Sequence, residues 1–297
     1  MPEGAHYISP PVSWISDFIS LTKLRLALSV VFSSLAGYLL AADKINFTDV
    51  LLLAIGGYCM VGASNAFNQI LERDLDALMT RTKNRPLPTG RMKTSTALVI
   101  AVSMTLLGII ILSWINYRTA FFGALSIILY VAVYTPLKTK TPLAVFVGAF
   151  PGAIPFMLGW VAYTNQFGIE PGVLFMLQFF WQFPHFWAIG WMLDDDYKKA
   201  GFKMLPTGNR DQGTAFQIIV YTLWMILISL IPYTHYTGSL SISLYAVIGV
   251  LLVGLMMLYA ATNLMRTKSN ESARKLMLTS VFYISAVQVI YVIDKFI

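Results

Sequence analysis

Three shortages narrow what this chain can be. Cys59 is the only cysteine, and it sits inside an apolar run. Intrachain disulfides, a cysteine zinc site and a CxxCH haem attachment are thereby excluded. Charge is scarce: 12% of the 297 residues are Asp, Glu, Lys or Arg, against 57% hydrophobic residues and a mean hydropathy of +0.67. A soluble globular domain does not tolerate that balance, and the long charge-free runs mark an integral membrane protein. Low-complexity tracts and a separate soluble domain are also lacking. The net charge of +7 does not indicate nucleic acid, because the basic residues fall in loops between apolar runs. Positive-inside topology accounts for them.

The apolar runs cover 26–42, 50–71, 95–114, 119–134, 141–163, 171–193, 212–265 and 276–293. A single crossing needs roughly 20 residues, and the turn-rich Pro232–Ser239 segment divides 212–265 in two. Nine spans result, of which 119–134 is the shortest. With nine spans, 18 of the 21 Lys and Arg residues fall on one side, leaving only Lys44, Arg118 and Lys295 on the other. That asymmetry places the N-terminus in the cytoplasm and the C-terminus outside, in a bacterial plasma membrane. Residues 1–18 have neither a signal-peptide core nor an Arg-rich transit pattern. Residues 1–20 are expected to form a cytoplasmic segment, with Trp14 and Phe18 at the interface. The whole chain, 1–297, reads as one membrane-embedded domain with active-site loops at 72–94 and 194–213.

Those two loops hold half of the 14 acidic residues, mixed with cations. In the first, Asn68, Glu72 and Asp76 recur every four residues and share one helical stripe. A carboxamide and two carboxylates suit Mg²⁺, which prefers hard oxygen ligands and is held by few carboxylates plus substrate phosphate. Asp74 points off that stripe toward Arg73. The following Arg81–Arg91 run carries guanidinium groups able to grip phosphate oxygens bidentately, with Pro and Gly limiting its mobility. In the second loop Asp194, Asp195 and Asp196 cannot all face one way, and Asp196 is expected to be the contributor. Metal, cations and acids at the ends of apolar helices point to a diphosphate ester of a lipid.

Pro184 inside the sixth span is expected to kink it and open a cavity. His185, the only histidine inside a span, is either hydrogen-bonded to a neighbouring helix or in contact with an aromatic or porphyrin co-substrate, as proton acceptor or iron ligand. Trp181, Phe183, Phe186 and Trp187 are candidates to line that cavity, or else to face lipid. Weaker signals on the same face are Lys23, Arg25, Tyr134, Lys138, Lys203 and Tyr197. Gly148, Pro151, Gly152 and Pro155 are expected to permit close packing or irregular backbone beside a cavity.

Taken together, Glu72-Arg-Asp-Leu-Asp76, Arg81-Thr-Lys-Asn-Arg85-Pro-Leu, Phe183-Pro-His185-Phe and Asp196-Tyr197-x-x-Ala-Gly201-x-x-Met204-Leu-Pro206 resemble the UbiA-type intramembrane prenyltransferases, in the branch that modifies haem. The resemblance spans about residues 20–295. It implies an all-α bundle of nine transmembrane helices around a central cavity. It implies Mg²⁺ held by Asn68, Glu72, Asp76 and Asp196, and a diphosphate met by Arg81 and Arg85, with Lys138 and Lys203 as further contacts. His185 and Trp181 would lie beside haem, and Lys23, Arg25, Tyr134, Asp195 and Tyr197 are secondary candidates. The implied reaction moves farnesyl from farnesyl diphosphate to a vinyl group of haem b, giving haem O and diphosphate, with a haem-A-forming enzyme or terminal oxidase as possible partner. Quinone-pathway relatives have Asp at the position of Glu72 and an Asp-x₃-Asp second motif, where this chain has Met192. A quinone or chlorophyll prenyltransferase and an ion-coupled transporter are the alternatives. The Phe-Pro-His185 segment disfavours the first, and acids clustered at one face without an evident repeat disfavour the second.

Overall fold

The computed structural model describes residues 13–297, so most of the expected N-terminal segment, with His6, lies outside the described residues. The fold is all-α. A nine-residue helix α1 (Trp14–Thr22) precedes α2 (Leu24–Ala41) and α3 (Phe47–Leu71); a short α4 (Arg73–Leu78) follows. Next come α5 (Thr94–Ile115), α6 (Tyr117–Leu137), α7 (Ala144–Thr164), α8 (Ile169–Met192) and the short α9 (Asp194–Lys199). Finally α10 (Gln212–Leu230), α11 (Leu244–Thr267) and α12 (Asn270–Phe296) complete the bundle.

Eight of the described helices are long and apolar enough to cross a membrane, which makes the chain a multi-pass membrane protein. The ninth long helix, α8, has 24 residues but falls outside that set. Gln178, Gln182, Pro184 and His185 dilute its apolar character. Between Pro171 and Gly190 only Met176 is exposed, so α8 is an inner wall rather than a lipid-facing span. The run expected to be shortest, 119–134, is part of the 21-residue α6. That helix continues past Ile128 as a π-helical turn, Leu129–Tyr134, and ends in an α turn, Thr135–Leu137. Pro136 lacks an N–H and would crowd the carbonyl four residues back; the wider turn before it relieves that clash.

The helices close into a ring: α2 packs on α3 and α7, α3 on α5, α5 on α6, and α6 on α7. Onward, α7 packs on α8, α8 on α10 and α12, α11 on α10 and α12, and α12 returns to α2. One apolar core, including Leu53, Met60, Leu112, Ile154 and Leu158, fills the N-terminal half. A second, including Phe156, Phe183, Trp187, Trp191, Val250 and Met257, fills the C-terminal half. Outward-facing Leu98, Val99, Leu106, Trp114, Leu252 and Leu255 give the ring its apolar rim. Between the halves lies a cavity.

One sequence expectation is corrected here. Asn68, Glu72 and Asp76 do not lie on a single uninterrupted helix, because α3 ends at Leu71 and Glu72 leaves helical geometry at φ −98°, ψ 9°. The stripe survives the break. The Glu72 amide still donates to the Asn68 carbonyl (3.0 Å) and the Asp76 amide to the Glu72 carbonyl (2.7 Å), which carries the four-residue spacing into α4.

Candidate active site

The cavity measures about 530 Å³ and reaches the face bearing both acidic loops. Its upper wall joins Lys23, Glu72, Asp76, Arg81, Arg85 and Lys138. Lys23, Glu72 and Lys138 sit at helix ends, Arg81 and Arg85 in the loop that follows, and Asp76 in the short α4. Lys23 is the left-handed joint between α1 and α2, at φ 49°. Side chains of α3 hold that joint: Asn65 donates to the Thr22 carbonyl (3.2 Å) and Gln69 to the Leu21 carbonyl (2.9 Å). The Arg81–Arg91 turn is tied back by Thr82 to the Asp76 carbonyl (2.8 Å) and by the Arg91–Asp17 ion pair (2.9 Å).

Two buried ion pairs dominate the site. Arg85 Nη1 lies 2.7 Å from Asp76 Oδ2, and Lys138 Nζ lies 2.8 Å from Glu72 Oε1. Burying such charges without full compensation is costly, and here compensation is incomplete. Asp76 Oδ1 is buried with no hydrogen-bond donor, and Lys138 meets Glu72 Oε1 as a close charge but without hydrogen-bond geometry. Carboxylate oxygens left in this state are ready to accept a cation. Burial works against the Lys138 charge, but the adjacent Glu72 outweighs it and raises its pKa. Lys23 has no such partner, and burial first, then Arg85 and Lys138, lower it to about 7.

Asn68 is oriented from behind. Its Nδ2 donates to Thr135 Oγ1 (3.3 Å), whose own proton goes to the Tyr130 carbonyl (2.8 Å). With the amide nitrogen so engaged, Oδ1 is the atom left for a ligand. The same π-helical turn brings Tyr130 and Tyr134 to the cavity, their ring centroids 5.2 Å apart, with Lys138 Nζ 4.7 Å from the Tyr134 ring.

On α8, Trp181 and His185 stack at 4.7 Å and line the cavity. Trp181 Nε1 donates to the Ser280 carbonyl (2.6 Å), and His185 Nδ1 meets Ser280 Oγ at 2.7 Å. Ser280 Oγ donates to the Met277 carbonyl (2.6 Å), so the proton in the histidine bond belongs to Nδ1 and Nε2 keeps its lone pair. His185 is therefore bonded to a neighbouring helix while it also lines the cavity. Helix α8 stays continuous through Pro184. Of its four candidate aromatics, Trp181 and Phe186 line the cavity, whereas Phe183 and Trp187 are buried in the C-terminal core. Neither pair faces lipid. Gly148 and Gly152 of α7 leave room for Tyr134 and Gln182, where a Cβ would overlap each side chain.

Four expected site residues stand outside the cavity. Asp196 Oδ1 and Oδ2 accept the backbone amides of Thr80 (2.7 Å) and Arg81 (3.1 Å), and Lys199 pairs with it at 3.1 Å. Its carboxylate thus clasps the first loop from the second. Asp195 is exposed and pairs with Arg210 (2.8 Å). The Lys203 amide donates to the Lys138 carbonyl (2.7 Å) while its ammonium reaches the Lys140 carbonyl (3.2 Å). Arg25 is exposed in the first turn of α2. Tyr197 does line the cavity. Sequence reasoning missed a set of buried polar side chains deeper in it: Ser33, Asn65, Gln178, Gln182 and Gln288. Their signal was available, since polar residues inside apolar spans are expensive and point to function.

No three His, Cys, Asp or Glu side chains cluster into a closed metal cage among the described residues. Mg²⁺ does not need one, because it relies on few protein oxygens and on substrate phosphate. Asn68, Glu72 and Asp76, with the orphaned Asp76 Oδ1, fit that requirement.

Residues 30–286 match the model of the UbiA prenyltransferase family. The chain is 65% identical over 289 residues to a protoheme IX farnesyltransferase of Christiangramia forsetii, covering 97% of this chain and 96% of that protein. It is 62% identical over 291 residues to the protoheme IX farnesyltransferase of Flavobacterium psychrophilum, at 97% coverage of both. Among solved structures, a digeranylgeranylglyceryl phosphate synthase superposes with TM-score 0.77 at 17% identity, covering 94% of this chain and 98% of the other. A UbiA homolog from Archaeoglobus fulgidus bound to GPP and Mg²⁺ superposes with TM-score 0.63 at 13% identity, covering 93% and 99%.

Proposed function

The chain belongs to the UbiA prenyltransferase family, and on that premise we propose that its cavity transfers farnesyl from farnesyl diphosphate to a vinyl group of protoheme IX (haem b). The observation that carries this reading is the pairing of two buried, incompletely satisfied carboxylates with Arg85 and Lys138 at the head of a mostly apolar cavity. Such a head suits a metal-bound diphosphate, and the space beneath it suits a hydrocarbon tail.

Asn68, Glu72 and Asp76 are the residues that would hold Mg²⁺, which supplies charge neutralisation to the diphosphate leaving group. Arg85, Lys138, Lys23 and Arg81 bind the phosphate oxygens, and their fixed positions stabilise the charge that develops as the allylic C–O bond breaks. The electron pair of that bond leaves with the diphosphate. The aromatic faces of Tyr130 and Tyr134 border the region below the cations, and the enclosing helices keep water from the developing allylic cation. The vinyl π electrons of haem form the new C–C bond, and water adds to the resulting carbocation with loss of one proton, giving a hydroxyethyl group. His185 Nε2, its lone pair free, is placed among the groups that face the co-substrate and can accept that proton.

The charge asymmetry supports an orientation with both acidic loops and the N-terminus cytoplasmic and Ile297 on the opposite side. Purified protein in lipid vesicles, supplied with farnesyl diphosphate, Mg²⁺ and haem b, should yield a haem heavier by one farnesyl group plus one hydroxyl group by mass spectrometry. Diphosphate release without that product, or prenylation of an added quinol in its place, would sink this reading.

A further inference from the structure

A second, smaller cavity adjoins the first. It measures about 40 Å³, the room of roughly three water-sized groups. Val30, Val61, Ser64, Ser126 and Pro155 line both spaces, so the two share a wall of short side chains. Beyond them the small cavity is bounded by Val31, Ser34, Gly57 and Gly123 and by Met60, Leu112, Ile154 and Leu158 of the N-terminal core.

Depth selects the occupant. On α3, eleven residues separate Asn68 at the head of the site from Gly57 at the small cavity, which at 1.5 Å per residue is about 16 Å. An extended farnesyl chain has twelve main-chain carbons and spans roughly 14–15 Å from single-bond lengths near 1.5 Å. Its free end is one carbon bearing two methyl groups, which matches the room available. The competing route ends at Ser33, Gln178 and Gln288, where Gln288 Nε2 donates to Ser33 Oγ (3.1 Å) and Gln178 Oε1 (3.3 Å). A hydrocarbon tail pressed against those amides gains little and disrupts their bonds.

We propose that the small cavity between α2, α3, α5, α6 and α7 receives the terminal isoprene unit of the farnesyl chain and thereby sets the prenyl length the enzyme accepts. This rests on the farnesyl-transfer reading above. It leaves the wall of Trp181, Gln182 and His185 to the co-substrate. Gly57 is the natural lever. A Cβ built there meets only Val31 Cγ2, at 3.5 Å, an ordinary contact, so a side chain grows into the cavity without displacing backbone.

Gly57→Val adds three carbons to a space for about three. The ratio of kcat/KM for farnesyl over geranyl diphosphate should fall roughly 50-fold, the equivalent of three methyl-sized groups denied burial. Haem binding, read from its absorption spectrum, should not move. Leu158→Ala should act in the opposite direction and raise use of geranylgeranyl diphosphate by about tenfold. An unchanged farnesyl-to-geranyl ratio in Gly57→Val overturns the assignment. Should that variant be inactive with both diphosphates, Leu158→Ala decides alone, and no gain with the longer chain overturns it. The wild-type product separates the two levels of the argument. If wild type makes no farnesylated haem, the functional reading fails; if it does and the length preference is immovable, only the cavity assignment fails.

Discussion

Replacing Asp196 by asparagine should loosen the turn that carries Arg81 while leaving the cavity wall in place. The two carboxylate oxygens accept the amides of Thr80 and Arg81 at 2.7 and 3.1 Å, and Lys199 adds a third contact. Partial burial opposes the charge, but those two amides and Lys199 prevail and hold the carboxyl well below the usual aspartate range. By linkage, a depressed carboxylate contributes stability that is complete above its unfolded value, near 3.9, and is lost as pH falls through the lower folded value. At pH 7 the whole contribution is therefore present. Asparagine retains one acceptor oxygen but presents an N–H group to the second amide, which ends one charge-assisted bond and weakens the other. The expected loss is about 2–3 kcal/mol, or roughly 30- to 150-fold faster hydrogen exchange at the Thr80 and Arg81 amides if they open locally. Exchange mass spectrometry on residues 79–85 in lipid nanodiscs reads this directly. Diphosphate affinity should weaken through Arg81, while half-saturation by Mg²⁺ stays put. Unchanged exchange combined with a higher Mg²⁺ concentration for half-saturation would refute the clasp and return Asp196 to the metal.

Three more outcomes follow from the site. Glu72→Gln or Asp76→Asn should abolish turnover with membrane insertion intact, since a neutral amide is a poor Mg²⁺ ligand; near-normal turnover in Mg²⁺-limited vesicles would contradict the assignment. Thr135→Val should free the Asn68 amide and weaken Mn²⁺ binding, followed by electron paramagnetic resonance with diphosphate present, about tenfold. Thr135→Ser should restore it, and equal weakening in both variants would count against the orienting role. Lys23, lowered to about 7, is half-protonated near neutrality and is drawn back to its charged form by a bound polyanion. Affinity for a non-hydrolysable farnesyl diphosphate analogue should thus fall as pH rises from 6.5 to 8.5. Lys23→Arg should flatten that decline, and parallel curves for the two proteins would exclude Lys23 as its source.

Much of the bundle is legible in the sequence because lipid permits few solutions to backbone hydrogen bonding. Apolar runs and the 18-to-3 split of basic residues are direct imprints of that constraint. α8 departs from the pattern for a reason visible only in three dimensions: it faces a cavity, so Gln178, Gln182 and His185 cost it little. Periodicity placed Asn68, Glu72 and Asp76 on one stripe, and the structure keeps them there across a break it gave no hint of. For loop residues periodicity has no purchase. Nothing in the run Asp194–Asp196 tells which carboxylate faces a phosphate and which clasps a backbone, and Lys203 differs from Lys138 only in where its loop lands. The Gln288–Ser33 bond joins residues 255 positions apart, a pairing no local pattern can announce.

The π-helical turn at Leu129–Tyr134 has a consequence for how such a site arises. A π turn is an α-helix with one surplus residue, and every side chain beyond it is rotated by about 100° from where the uninterrupted helix would aim it. Tyr134 and Lys138 owe their place on the cavity wall to that surplus, and Thr135 its contact with Asn68. Deleting a single residue there would leave an equally apolar helix long enough to insert, with Pro136 now crowding the carbonyl four residues before it. It would also swing an aromatic wall, the support of Asn68 and the partner of Glu72 away from the cavity in one stroke. A membrane scaffold and a reactive site can thus be separated by one codon.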